Sequence, residues 1–184
     1  MLTFNSTNTW GWPAILLHWI GAVLIVLLLA HGWWMTHLTP RVERAANYAG
    51  HAALGYDFLV LLVVRLLWRW MNVVPALPND LKPWERYAAK IGHAGLYLLM
   101  FAATLSGWAL AGIGRRVYQQ DVFGLNVPLI YTDRSMHDVM ENAHMILSYL
   151  LAALVLVHVV GALRHHFIKG NAILARMIGL KAWG

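Results

Sequence analysis

Four long apolar stretches alternate with shorter polar segments along this chain. A helix of about 20 mostly apolar residues crosses roughly 30 Å of hydrocarbon, so each stretch predicts one membrane-spanning helix. The first apolar run follows Trp12-Pro13 and exceeds the roughly 7 to 15 residues of a signal-peptide core, so we expect it to be retained. The predicted spans cover about residues 14–35, 52–74, 91–113 and 142–164.

The composition agrees with an all-α integral membrane protein. Hydrophobic residues make up 60% of the chain and charged ones 12%, whereas soluble domains have about 45 to 50% and about 25%. The chain has no cysteine, which excludes disulfides, thiolate metal sites and covalently attached c-type haem. The net charge of +6 comes from basic residues at the ends of apolar stretches, so we expect membrane lipid and no nucleic acid as partner.

The distribution of basic residues predicts the orientation in the membrane. Four crossings place both termini on one side, and the positive-inside rule makes that side cytoplasmic. We expect residues 1–184 to form a single transmembrane domain, with the segment 114–141 as the longest outer loop. The cations assigned to the inside are Lys82, Arg86, Lys90, Arg164, Lys169, Arg176 and Lys181.

Histidines are costly inside a membrane and are functional candidates there. His144 and His158 lie fourteen residues apart on the fourth predicted span. At 100° per residue this spacing is about 40° short of four full turns, so both rings leave nearly the same face, about 21 Å apart along the axis. One helix therefore offers two ligands, one near each membrane surface.

Each of these histidines has a candidate partner at its own depth. His18 lies about one turn into the first span from the inner surface, and His51 stands where the second span begins outside. Matching depths pairs His18 with His158 and His51 with His144. Two bis-histidine sites suit two b-type haems, so we predict a four-helix bundle with both haems in its core.

Glycines and one arginine extend this interpretation. Gly21, Gly55 and Gly161 each follow a proposed ligand by one helical turn, which leaves room for a porphyrin; alternatively, small residues let membrane helices approach.

Arg65 follows His51 by fourteen residues, on the same face but at the inner level. It can pair with a propionate of the inner haem, or extend to the inner headgroups.

Other histidines have weaker claims. His93 opens the third span on the inner side, where it competes with His18 as a ligand or bonds a quinone head group. His31 points about 140° away from His18 on the first span, so we interpret it as an interfacial residue. The His165-His166 pair favours a basic anchor at the membrane edge over metal binding.

Six motifs follow one another along about residues 14 to 178: ILLHW, GHAALG, LLVVRLL, IGHAGLYLL, ENAH and HHFIKGNAILARMI. In this order they resemble the bacterial di-haem cytochrome b561 family. The resemblance implies a four-helix inner-membrane cytochrome, with His18 and His158 on the cytoplasmic haem and His51 and His144 on the periplasmic one. It also implies an association with ubiquinone, and one family member is described as a superoxide oxidase that passes electrons to ubiquinone.

Three functions follow as hypotheses. The first is transmembrane electron transfer, an oxidoreductase activity, from a small periplasmic donor such as superoxide to membrane ubiquinone. In this function the superoxide anion is steered by basic residues of the outer loop, or these residues simply form a solvated loop; they are Arg115, Arg116 and Arg134. The second is a membrane-anchor subunit that takes electrons from a separate periplasmic dehydrogenase or hydrogenase. The third is a haem-free proton or metal transporter, which the wide spacing of His144 and His158 disfavours.

Overall fold

The computed structural model describes residues 2–78, 80–113, 121–122, 125–130 and 133–179. Four of its helices are long and apolar enough to cross a membrane, which confirms the all-α membrane fold. The short elements are a two-residue β pair (β1 Asp121–Val122, β2 Leu125–Asn126), a 3-10 turn (Arg134–Met136), a π-helical turn (Arg164–Ile168) and α5 (Ile173–Met177). The long helices are α1 (Trp12–His37), α2 (Arg44–Met71), α3 (Pro83–Ile113) and α4 (His137–Leu163).

The helices begin before the predicted spans because polar residues continue them beyond the hydrocarbon. At the start of α3, the Glu85 carboxylate accepts the backbone N–H of Lys82 at 3.0 Å, and Pro83 occupies the first helical position. The second predicted span extended to residue 74, whereas α2 ends at Met71. There the Asn72 side chain donates to the Trp68 carbonyl, which ends the helix ahead of Pro75.

Contacts divide the chain into two compact units, each containing segments of all four long helices. The described residues of unit 1 are 2–20, 63–78, 80–97 and 153–179, and those of unit 2 are 21–62, 98–113, 121–122, 125–130 and 133–152. Unit 1 contains His18 and His158, and unit 2 contains His51 and His144. That residues 1–184 act as one domain stays a prediction.

Unit 1 is held together by a buried carboxylate. The Glu85 side chain is only 3% exposed, and its Oε1 accepts from Arg164 at 3.2 Å and from Lys169 at 2.5 Å. These ion pairs fasten the π-helical turn to the start of α3. After that turn Gly170 adopts φ +65°, a conformation that favours glycine and ends the helical run.

Unit 2 has the more apolar interior. Phe58, Leu62 and Leu151 are almost fully buried there. Outward residues of the same helices are also apolar, for example Val26 and Leu27 on α1, which are about half exposed. Apolar side chains on the outer surface of a helical membrane protein face lipid, so these helices suit a bilayer.

Candidate haem-binding sites

His51 and His144 are ring neighbours in unit 2, and we call them the outer pair. His51 lies in the second turn of α2 and His144 in the second turn of α4. Their ring centroids are 6.2 Å apart, with the ring planes inclined by 81°. Two imidazoles that bind one metal ion from opposite sides have ring centres about 6 Å apart, because each nitrogen lies about 2 Å from the metal. The separation therefore fits an iron between the two rings.

The surroundings of His144 fix which of its nitrogens carries the proton. Nδ1 lies 2.9 Å from the carbonyl oxygen of Ala103 on α3. A carbonyl only accepts, so Nδ1 must donate, and Nε2 keeps a free lone pair for a metal. The Ser106 hydroxyl, 3.2 Å from Nδ1, donates in turn to the same carbonyl. This arrangement is typical of histidine ligands, whose second nitrogen is anchored by the protein.

His51 is held more loosely. Its Nδ1 atom is buried and has no hydrogen-bond partner among the described residues. α1 passes close by, since a Cβ atom at Gly32 would lie 3.3 Å from Cε1 of His51. The ring of His31 lies beside that of His51, with 5.7 Å between centroids. The sequence interpretation of His31 as an interfacial residue missed this neighbour, because it compared His31 only with His18 on its own helix.

His18 and His158 form the corresponding inner pair in unit 1. Their ring centroids are 6.4 Å apart and their planes are inclined by 70°. His93 on α3 also approaches His158, with a centroid separation of 5.4 Å. The first distance fits two ligands of one iron, and the second is shorter than such an arrangement allows. The structure thus brings both histidines that competed for the inner site, His18 and His93, next to His158.

Arg65 points toward the inner pair. Its Nη2 atom lies 2.8 Å from Nδ1 of His18, and its guanidinium lies 5.4 Å from the centre of the Tyr97 ring. Arg69 approaches the same ring at 6.0 Å. A guanidinium only donates, so this contact makes Nδ1 of His18 an acceptor. Ligation of iron through Nε2 therefore requires Arg65 to turn to a different acceptor.

Open space next to the ligands provides a second test of fit. Apart from its own helical turn, a Cβ atom at Gly55 or at Gly161 would meet no atom of the described residues within 4 Å, although both glycines are half-buried. Gly21 is buried. A flat group placed beside His51 or His158 would find this space free. The described residues therefore fit two bis-histidine haems in donor type, ring separation and available room.

The remaining candidates lie elsewhere. Nδ1 of His165 accepts a hydrogen bond from the Asn171 side-chain amide at 3.1 Å, and His166 lines a small cavity with Gly170 and Asn171. Of the arginines considered for superoxide, Arg134 is exposed in the 3-10 turn, whereas Arg115 and Arg116 lie outside the described residues. The sequence pattern predicted no role for α3 in the outer site. The small residues Ala103, Ser106 and Gly107 nevertheless share one face of α3, and all three approach His144.

Comparison with known proteins decides the family. A family model described as prokaryotic cytochrome b561 matches residues 9–180. The chain belongs to the prokaryotic cytochrome b561 family. Among relatives of this family, cytochrome b561 homolog 2 of Escherichia coli is 31% identical over 180 residues, covering 95% of this chain and 94% of that protein.

Two further relatives differ in their named roles. A probable superoxide oxidase, CybB, of Yersinia pestis is 26% identical, covering 90% of this chain and 93% of that protein. A probable Ni/Fe-hydrogenase B-type cytochrome subunit of Cupriavidus necator is 21% identical, covering 96% and 86%. Membership of the b561 family makes this chain a membrane electron-transfer protein with haem b as its cofactor.

Proposed function

We propose that the chain transfers electrons across the bacterial inner membrane through two b haems, one held by His51 and His144 and the other by His18 and His158. The separations of 6.2 Å and 6.4 Å within the two histidine pairs carry this proposal. A haem iron with two imidazole ligands exchanges single electrons and has no free position for oxygen. The basic residues of unit 1 support cytoplasmic termini.

Superoxide is the donor that we propose, and ubiquinone the acceptor. The Yersinia pestis relative, which matches over nearly its whole length, supports this choice. Two superoxide anions release two electrons and leave two molecules of dioxygen. Ubiquinone takes up these two electrons with two protons and becomes ubiquinol, so charge and atoms balance.

The chain's own residues have distinct tasks in this proposal. Ala103 and Ser106 orient His144 through Nδ1 and leave Nε2 for iron. Arg65 is a half-buried cation with no carboxylate partner among the described residues, and a haem propionate would supply one. We assign Arg65 to that carboxylate and expect it to leave Nδ1 of His18 when the inner haem is bound.

Two measurements on the detergent-purified chain test the proposal. A pyridine haemochrome assay is expected to give two b haems per chain, and a value of one or none contradicts it. Rapid mixing of the oxidised protein with superoxide is expected to reduce its haem, with superoxide dismutase added as a control that abolishes the reaction. Haem that stays oxidised would exclude superoxide as the donor while leaving electron transfer itself intact.

A second candidate function is that of a membrane-anchor subunit. The hydrogenase B-type cytochrome subunits of Cupriavidus necator and Azotobacter vinelandii support it, at 21% and 26% identity. An anchor passes electrons between a docked periplasmic enzyme and the quinone pool. Purification from native membranes in a mild detergent separates the two functions, because an anchor co-purifies with a stoichiometric partner and a free-standing enzyme does not.

A further inference from the structure

The outer pair is asymmetric in its hydrogen bonds. His144 donates through Nδ1 to the Ala103 carbonyl, whereas Nδ1 of His51 is buried without a partner among the described residues. A histidine that binds metal through Nε2 carries its proton on Nδ1, and that buried N–H needs an acceptor. The question is which residue accepts from His51.

His31 is the neighbouring side chain with a suitable lone pair. The Asn47 amide nitrogen donates to the Glu43 carbonyl at 3.0 Å, which turns the amide oxygen toward His31. That oxygen lies 3.3 Å from Nε2 of His31 and only accepts, so Nε2 carries the proton. In the neutral imidazole, which carries one proton, Nδ1 of His31 is then the acceptor.

The distance makes this contact attainable. The rings of His31 and His51 lie 5.7 Å apart, while a direct N–H···N bond between two imidazoles needs about 5 Å between ring centres. A small rotation of either ring closes the difference. Gly32, next to His31 in the chain, keeps α1 against His51, with an added Cβ atom only 3.3 Å from its Cε1.

We propose that His31 accepts a hydrogen bond from Nδ1 of His51 when His51 is a haem ligand, and that Asn47 holds His31 in the required tautomer. His31 and Asn47 are then positioning residues of the outer site. The inference rests on the proposed two-haem function. An acceptor at Nδ1 makes the ligand more basic and stabilises ferric iron. The hydrogen bond from His51 to His31 is therefore expected to lower the reduction potential of the outer haem.

The test is an optical redox titration of the purified, haem-loaded full chain and its variants. The His31→Leu variant is expected to keep both haems. The equilibrium constant for reducing one of them should rise about tenfold, which raises its reduction potential by about 59 mV for a one-electron couple. His31→Gln, whose amide oxygen is also an acceptor, is expected to restore most of the original potential. Asn47→Asp, which strengthens the bond to His31, is expected to shift the same haem in the opposite direction.

His37→Leu is the matched control, because His37 lies on the same helix and is exposed. Among the described residues its ring hydrogen-bonds only Thr36 and the Trp33 carbonyl. This variant should leave both potentials unchanged. Unchanged reduction potentials in a His31→Leu protein that retains both haems would overturn the proposed hydrogen bond from His51 to His31. If the His31→Leu variant loses the outer haem, the Asn47→Asp variant provides the test. A lowered reduction potential of its outer haem supports the hydrogen bond from His51 to His31, and an unchanged potential overturns it. A parent chain with fewer than two haems contradicts the proposed function instead.

Discussion

A Cβ atom at Gly107 would lie 2.9 Å from Cε1 of His144. The backbone of α3 therefore supports one edge of this ring, while Ala103, one turn earlier on α3, accepts the hydrogen bond from its Nδ1 atom. A helix to which we assign no iron ligand thus determines both the position and the tautomer of a proposed ligand. Substitutions on α3 can consequently test the outer site without altering a histidine.

Gly107→Ala is expected to displace His144 and to remove the outer haem. The added methyl group needs a shift of the ring or of α3, and overpacking of this kind costs about 1–3 kcal/mol. Haem content should fall from two to about one per chain by pyridine haemochrome. Gly92→Ala on the same helix is the control, because a Cβ atom there meets nothing within 4 Å. Full haem content in the Gly107 variant would contradict the expected displacement and would mean that the ring or α3 shifts without loss of the haem.

Gly161→Leu is expected to remove the inner haem while the chain remains folded. Apart from its own helical turn, a Cβ atom added at Gly161 meets no atom of the described residues within 4 Å, so we expect a leucine there to occupy the space of a bound group. Haem content and thermal stability of the haem-free protein should be measured together. A variant with two haems would mean that this space faces lipid and that the glycine serves helix packing.

His18→Ala is expected to lose the inner haem, and His93→Ala to retain both. Only the 6.4 Å separation between His18 and His158 leaves room for an iron between the rings; the 5.4 Å between His93 and His158 is too short. Haem quantification and low-temperature optical spectra of both variants check this. The opposite result would transfer the ligand role from α1 to α3.

The sequence predicted the histidine pairs because their positions depend on one helix at a time. The fourteen-residue spacing of His144 and His158 fixes their common face. Depth then offers His51 as the neighbour of His144, and His18 or its competitor His93 as the neighbour of His158. The ring separations agree with that pairing, while the ligand roles stay predictions. The approach of His31 to His51 and of Gly107 to His144 depends on how each helix is rotated against the next. Spacing within one helix carries no information on that rotation, so these contacts could not be predicted from the sequence.

Arg65→Leu is expected to lower the reduction potential of the inner haem and to leave the outer one unchanged. Arg65 lies against His18 in unit 1, and a nearby positive charge favours the reduced iron. Removing one charge from a partly buried site is worth about 1–2 kcal/mol, or roughly 40–90 mV for one electron. Arg65→Lys retains the charge without the planar guanidinium. If the charge is what matters, the reduction potential of the inner haem in this variant should stay close to that of the parent chain. An unshifted potential in the leucine variant, with both haems present, would place Arg65 at the headgroups once haem is bound.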